Sequence, residues 1–404
     1  MKFLSSQKNL LGKSVLLRAD LDAPRDAIKV LDDSRIKASI PSIEYIFKQG
    51  ASLVIISKSG RPKGWQVEYS LKPIAEYLAK LLSKNFVSTK EYSEQYFNEV
   101  IFFEGDITKE GAVETVKKLC QKNIVVLENL RFYTSEEEPS PVFAKLLAGF
   151  ADVFVNDAFA MMHRNEASIS LLPKYLPSFA GLNVEKELNA LNRLITFKAN
   201  PFTVIIGGAK ISDKIGTIKN LGKTADYILI GGGPANLFFL SQGFEIGASL
   251  CEKEELEVAA DLMRNYKAKI VLPVDVVVAK TNDHEQVRVC KPNEVLKDET
   301  ILDIGPQTTL LFSKIVKESK KMVWNGPMGL FEEKKFSHGT MSLALIFAAR
   351  CRGFAYGLVG GGDTLDALNK ARVLEQIDFV STAGSATLEY LAGESLPGLK
   401  ALGE

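Results

Sequence analysis

The feature that most constrains this chain is a rhythm. Short apolar runs rich in Val, Ile and Phe alternate with longer amphipathic stretches from one end to the other. In the first half the runs are SVLLRA, ASLVIIS, EVIFF, NIVVLEN and ADVFVND. In the second half they are FTVIIGG, YILIGGG, KIVLPVDVVVA, ILDIG, KMVWNG, FAYGLVGGG and FVSTAG. Between them lie segments such as Ile36 to Gln49 and Ser70 to Ser83, with apolar residues three and four apart. A βαβα series of this kind buries its strands on both faces, so it predicts an α/β fold of mostly parallel sheets covered by helices.

Length sets how many such units there are. At roughly 150 residues per domain, 404 residues make two or three domains. The series pauses at LPKYLPSFA, residues 172 to 180, where two prolines argue for a connection. Asn183 to Ile195 then reads as one helix, and a new strand series starts at Phe202. The boundary is therefore placed near residue 180, giving two doubly wound parallel-sheet domains, 1–180 and 181–395.

Charge and thiols narrow the class. Fifty Lys plus Arg against 49 Asp plus Glu leave a net charge of +1, so no overall field draws nucleic acid or an anionic membrane. Charged ligands must be held by local clusters. Cys120, Cys251, Cys290 and Cys351 are scattered, without C-x-x-C or zinc-ligand spacing. The N-terminal MKFLSSQKNLLGK lacks a signal-peptide core, and the longest apolar run, Leu343 to Ala349, is far too short to span a bilayer. The expectation is a cytoplasmic monomer with no nucleic-acid or membrane partner.

Ligands of open parallel sheets bind beyond the carboxyl ends of the strands. In the first half those ends carry Arg18, Asp20, Asp22, Lys58, Arg61, Asn129, Arg131, Asn156 and Asp157, the last leading on to His163 and Arg164, while Arg35 opens the helix after the first strand. The topology gathers Arg18, Arg35, Lys58, Arg61, Arg131 and Arg164 into one basic crescent. A single arginine at a strand end is most often a solvated surface residue. Several on one rim suit a small, multiply charged anion, because guanidinium groups grip carboxylate and phosphate bidentately.

In the second half the strand ends carry glycine: Gly207-Gly208-Ala-Lys210, Gly231-Gly232-Gly233, Gly305-Pro, Asn325-Gly-Pro-Met-Gly, Gly360-Gly361-Gly362-Asp363-Thr364 and Ser381-Thr-Ala-Gly-Ser. Glycine allows close backbone approach, and a helix starting after such a loop aims free N–H groups at an anion. Gly305 alone reads as an ordinary strand end; six such loops read as a nucleotide site. The familiar signatures are absent. GGGPAN and GGGDTL miss the last glycine of G-x-G-x-x-G, and Gly222-Lys-Thr fails P-loop spacing and precedes a strand.

One half that holds a small anion and another that holds nucleotide phosphates, with Lys210, Lys214 and a metal-competent Asp363, suit phosphoryl transfer, where positioning and charge neutralisation dominate. No nucleophile–base set is evident. His163, His284 and His338 fall in unrelated contexts. A carboxylate acceptor is already ionised at pH 7 and needs no general base.

At this point the chain resembles the phosphoglycerate kinase family over essentially its whole length. The carrying motifs are RADLDAP, SRIKASIPSIEY, SGRPKG, ENLRF, NDAF with HR, GGAKISDKI, GGGPAN, WNGPMGLFE, GGGDT and STAGSATLEYLAGESLPG. The resemblance implies an N-terminal domain for 3-phosphoglycerate, a C-terminal domain for MgATP or MgADP, a hinged cleft across which the two face each other, and a tail, 396–404, that returns to the first domain. Asp20, Asp22, Arg35, Lys58, Arg61, Arg131 and Arg164 would form the phosphoglycerate site. Arg35, Lys210 and Lys214 would be catalytic. Lys210, Lys214, Asn325, Glu332, Gly361, Gly362, Asp363 and Thr364 would hold the nucleotide, Asp363 through Mg2+. The implied reaction is reversible transfer between 1,3-bisphosphoglycerate and ADP.

The chain departs from the family pattern at several positions. Asp22 stands where the family usually has Asn, and Lys58 where it has His. NDAFA-M-M-HRNE replaces NDAFG-T-A-HRAH, so that Ala160, Met161, Met162 and Glu166 are unusual. Ser381-Thr-Ala383-Gly-Ser385 replaces S-T-G-G-G. The first two changes add one charge of each sign, which predicts that Asp22 and Lys58 pair. The rival readings are a homologue with weakened turnover that serves as a ligand-binding protein, and a two-domain dehydrogenase, against which the missing dinucleotide fingerprint weighs.

Overall fold

The computed structural model describes residues 1–26, 29–93, 95–121, 123–281 and 283–403; residue 404, the last of the expected tail, lies outside the described residues. The chain divides into two compact units, Met1–Asn189 together with the residues from Ser395 on, and Ala190–Glu394.

Among the described residues, the first unit is built on a seven-stranded sheet in the order Phe86–Ser88, Val100–Phe102, Ile124–Val126, Ser52–Ile56, Ser14–Arg18, Val153–Asn156, Ser178–Ala180. Every pairing is parallel. Side chains alternate across such a strand. Val15 and Leu17 therefore pack on one face with Ile36, Ile43 and Ile46 of the helix Ser34–Lys48. Leu16 packs on the other with Val116 and Leu119 of the helix Ala112–Cys120. Each fully buried Leu, Ile or Val contributes about 1.5–3 kcal/mol, and this two-sided burial is why the strands read as unbroken apolar runs. The chain's last turn, Pro397–Ala401, also belongs here: the Gly398 N–H donates to the Met162 carbonyl at 2.9 Å.

The second unit carries a six-stranded parallel sheet, Ile270–Val271, Tyr227–Ile230, Phe202–Ile206, Lys321–Asn325, Tyr356–Gly360, Phe379–Ser381. Its central strand buries Trp324 completely, and Trp324 packs against Phe347 of the helix His338–Cys351. A three-stranded antiparallel sheet of Val276–Lys280 between Asp283–Cys290 and Glu299–Ile304 completes the unit.

The α/β class holds, with three local differences from the sequence reading. LPKYLPSFA is not wholly a connection, because Ser178–Ala180 joins the sheet edge beside Val153–Asn156. An edge strand tolerates nearby proline, since only one side of its ladder is needed. KIVLPVDVVVA is two strands in two sheets, broken at Pro273. ILDIG lies in the antiparallel sheet rather than the parallel one.

Candidate active site

In the first unit the strand-end residues build a charged cluster. Ser14–Arg18 delivers Asp20 and Asp22 just past its carboxyl end, and Ser52–Ile56 delivers Lys58 beside them. The Lys58 ammonium is bound to Asp22 Oδ2, and the Gly60 N–H donates to Asp22 Oδ1 at 2.9 Å. Arg35, in the first turn of its helix, lies with Nη1 3.7 Å from Asp20 and 3.8 Å from Asp22. Burial opposes ionisation of Asp22, but Lys58, the Gly60 N–H and Arg35 outweigh it and hold the carboxyl below its usual range. The charge pairing expected from two unusual residues is thus present.

Arg131 follows the strand Ile124–Val126, in a short turn started by Asn129, whose side chain accepts the Arg131 N–H at 3.0 Å. Its guanidinium is bound to Glu166 and lies 2.8 Å from Glu137. His163, partly buried, directly precedes Arg164 in the chain. Its pKa is lowered by burial and by Arg164, with Glu166 opposing and Lys58 adding to the fall. Asp20, Asp22, Arg35 and Lys58 form one ion-paired group, and Arg131, Glu137 and Glu166 another. Arg61 and Arg164 are exposed and form no ion pair among the described residues.

Arg18 is the exception to the expected crescent. It is fully buried, with Nε donating to Ser168 Oγ at 3.0 Å and Nη1 to the Ala19 carbonyl at 2.9 Å. As the last residue of a central strand it turns into the protein rather than onto the rim. Ser168 in turn donates its N–H and hydroxyl to Glu136, which burial pushes up to about 7 against the pull of Arg18. Neither Ser168 nor Glu136 stood out in the sequence as part of a site, because contacts over 32 to 150 residues leave no local pattern.

The second unit brings the glycine loops together around a cavity of about 320 Å³, lined in part by Gly208, Gly232, Gly233, Pro327, Glu332 and Asp363. Two glycines are required by position. Gly326 has φ +93°, and a Cβ there would meet the Gly207 carbonyl oxygen at 2.2 Å. Gly232, at φ +57°, opens the helix Gly232–Ser241 and would place a Cβ 2.6 Å from the Gly208 carbonyl. The loops are locked by side chains. Thr364 Oγ1 accepts the Gly326 N–H at 2.7 Å, and Asn325 Nδ2 donates to the Gly360 carbonyl at 2.9 Å. Gly361 and Gly362 start the helix Gly362–Lys370, with Asp363 in its exposed first turn.

Lys210 is exposed and Lys214 buried, and Lys214 Nζ donates to the Lys210 carbonyl at 3.0 Å. Burial lowers the pKa of Lys214, with Asp213, Asp363 and Glu252 opposing. Among the described residues no three metal-ligating side chains gather. Gly305 has the structural role expected of it. It caps the helix Pro306–Glu318, whose Gln307 and Thr308 N–H groups are taken by Asp275.

The sequence reading missed part of this wall. Asn236, Asp303 and Leu302 also line the cavity. Leu302 and Asp303 come from the antiparallel sheet, which no glycine loop signals. Asn236 lies within GGGPAN and could have been found there.

A phosphoglycerate kinase family model matches residues 6–394. The phosphoglycerate kinase of Pelotomaculum thermopropionicum is 40% identical over 396 residues, 97% of this chain and 96% of that protein. The phosphoglycerate kinase of Zymomonas mobilis is 40% identical over 397 residues, again 97% and 96%. Among solved structures, phosphoglycerate kinase from Coxiella burnetii superposes with a TM-score of 0.82 at 35% identity, covering 99% of this chain and 98% of that one. The Pyrococcus horikoshii enzyme gives 0.81 at 31%, covering 100% and 98%.

Proposed function

The chain belongs to the phosphoglycerate kinase family, and from that premise we propose how its two units divide the work of reversible phosphoryl transfer between 1,3-bisphosphoglycerate and ADP. Residues 1–180 supply the phosphoglycerate domain and 181–395 the nucleotide domain. Asp20, Asp22, Arg35, Lys58, Arg61, Arg131 and Arg164 form the anion site. Arg61 and Arg164, exposed and without internal carboxylates, make the first contacts with the substrate's charge. Asp20 and Asp22 hold Arg35 from one side, so that its remaining N–H groups face the transferring phosphoryl.

The second unit takes the nucleotide. The Gly232–Ser241 and Gly362–Lys370 helix starts turn N–H groups toward phosphate, Thr364 and Asn325 fix the loop shape, and Glu332 lies beside the ribose. Mg2+ carried by ATP or ADP neutralises phosphate charge when bound, and Asp363 would hold it. Lys210 and Lys214 stabilise the moving phosphoryl. The acceptor is a carboxylate, so no general base is required. Transfer needs the two units brought together by a hinge movement. The enzyme acts as a cytoplasmic monomer; among the described residues no helix is long and apolar enough to cross a membrane.

The observation that supports this division is the glycine-lined cavity of the second unit, with Asp363 on its wall and the start of the Gly232–Ser241 helix beside it. A coupled assay with ATP, Mg2+ and 3-phosphoglycerate tests it. Asp363→Ala should raise the Mg2+ concentration needed for half-maximal rate and cut kcat, and chelation should abolish turnover of the wild type. An Asp363→Ala enzyme with unchanged Mg2+ dependence would contradict the assignment.

A further inference from the structure

We propose that Glu166 sets the affinity for the phosphoglycerate by occupying Arg131 in place of a substrate oxygen, so that the incoming anion must displace it. The proposal rests on reading Arg131 as part of the phosphoglycerate site.

The side chains of Arg131 and Glu166 are 8% and 6% exposed, and the two are bound directly to each other. Glu137 lies 2.8 Å from Nη1 of the same guanidinium, from a half-exposed position. One positive charge therefore faces two carboxylates. Arg131 is unlike Arg61 and Arg164, which carry no internal counter-charge among the described residues. The Arg131–Glu166 pair is also incomplete. Arg131 Nε and Glu166 Oε2 are both buried with no hydrogen-bond partner, so Glu166 grips the guanidinium through one oxygen only. A phosphate or carboxylate can present two oxygens to the planar fork and satisfy more of it. A carboxylate held by one oxygen is a weak occupant of a strong anion position.

The test uses the full-length enzyme. KM for 3-phosphoglycerate and KM for ATP are measured for the wild type, Glu166→Gln and Glu137→Gln, alongside thermal unfolding. Glu166→Gln keeps volume and an acceptor but drops the charge. Its KM for 3-phosphoglycerate should fall by about tenfold, the scale of one charged hydrogen bond recovered, with KM for ATP unchanged. Glu137→Gln, at an exposed position that folding tolerates, relieves the same guanidinium and should lower that KM by a smaller factor. A KM for 3-phosphoglycerate that stays level or rises in Glu166→Gln overturns the proposal and leaves a structural ion pair. Should Glu166→Gln not fold, an unchanged KM in Glu137→Gln overturns it equally. A wild type with no turnover at all would instead remove the underlying reading of the site.

Discussion

Lys58 is bound to the carboxylate of Asp22, and the same carboxylate lies 3.8 Å from the Arg35 guanidinium. Two residues of opposite charge are paired, and Arg35 is held beside the pair. The coupling predicts a non-additive cycle. Asp22→Asn and Lys58→His each leave a half-buried charge without its partner, and each should raise KM for 3-phosphoglycerate. The double variant, which restores the family's usual pair, should lie closer to the wild type than either single. Interacting neighbours of this kind couple by about 0.5–3 kcal/mol. Effects that simply add in kcat/KM would show that Asp22 and Lys58 act independently.

Much of this site was legible in the sequence, for a physical reason. Strand ends of a parallel sheet converge on one rim, so Asp20, Asp22 and Lys58 could be placed together without coordinates, and opposite charges at Asp22 and Lys58 announced their pairing. The glycine loops were legible because positions such as Gly326 admit no other residue. Arg18 was misread because the face a strand's last residue takes depends on what packs there, and Ser168, 150 residues away, supplies its partner. Glu166 could be marked as unusual, but its partner could not be named. The edge strand Ser178–Ala180 was hidden by the prolines around it.

Thr364 and Gly326 give a stability prediction with a functional readout. Thr364 is fully buried and its hydroxyl accepts the Gly326 N–H. Thr364→Val keeps the shape and removes the acceptor, so a buried N–H loses its partner. The cost should be about 1–3 kcal/mol, read as a lower Tm. On the proposal that the glycine loops hold the nucleotide, KM for ATP should rise while KM for 3-phosphoglycerate holds. A variant with wild-type Tm would mean that the bond contributes nothing.

Asp303 gives a pH prediction. It lines the glycine-walled cavity of the second unit, and burial pushes its carboxyl up to about 7, against N–H bonds from Gly339 and Ile304 that favour the charged form. Its ordinary value is 3.8, so between there and about 7 the folded protein binds more protons here than the unfolded chain does. Stability from this group is therefore greatest below that window and falls as pH rises through it. Asp303→Asn, although less stable because its amide opposes a backbone N–H, should show a flatter dependence of unfolding free energy between about pH 4 and 7. Denaturant titrations across that range check it, and parallel slopes for the two proteins would refute it.

The central claim is that Arg35, held by Asp20 and Asp22 in the first unit, acts on the same phosphoryl group as Lys210 and Lys214 of the second. The most direct measurement is the coupled assay of ATP with 3-phosphoglycerate, run on the wild type and Arg35→Ala at saturating substrates. Removing an arginine that neutralises transferring charge should lower kcat by about a thousandfold or more, with Tm little changed. An Arg35→Ala enzyme that turns over within a few-fold of the wild type would contradict the account.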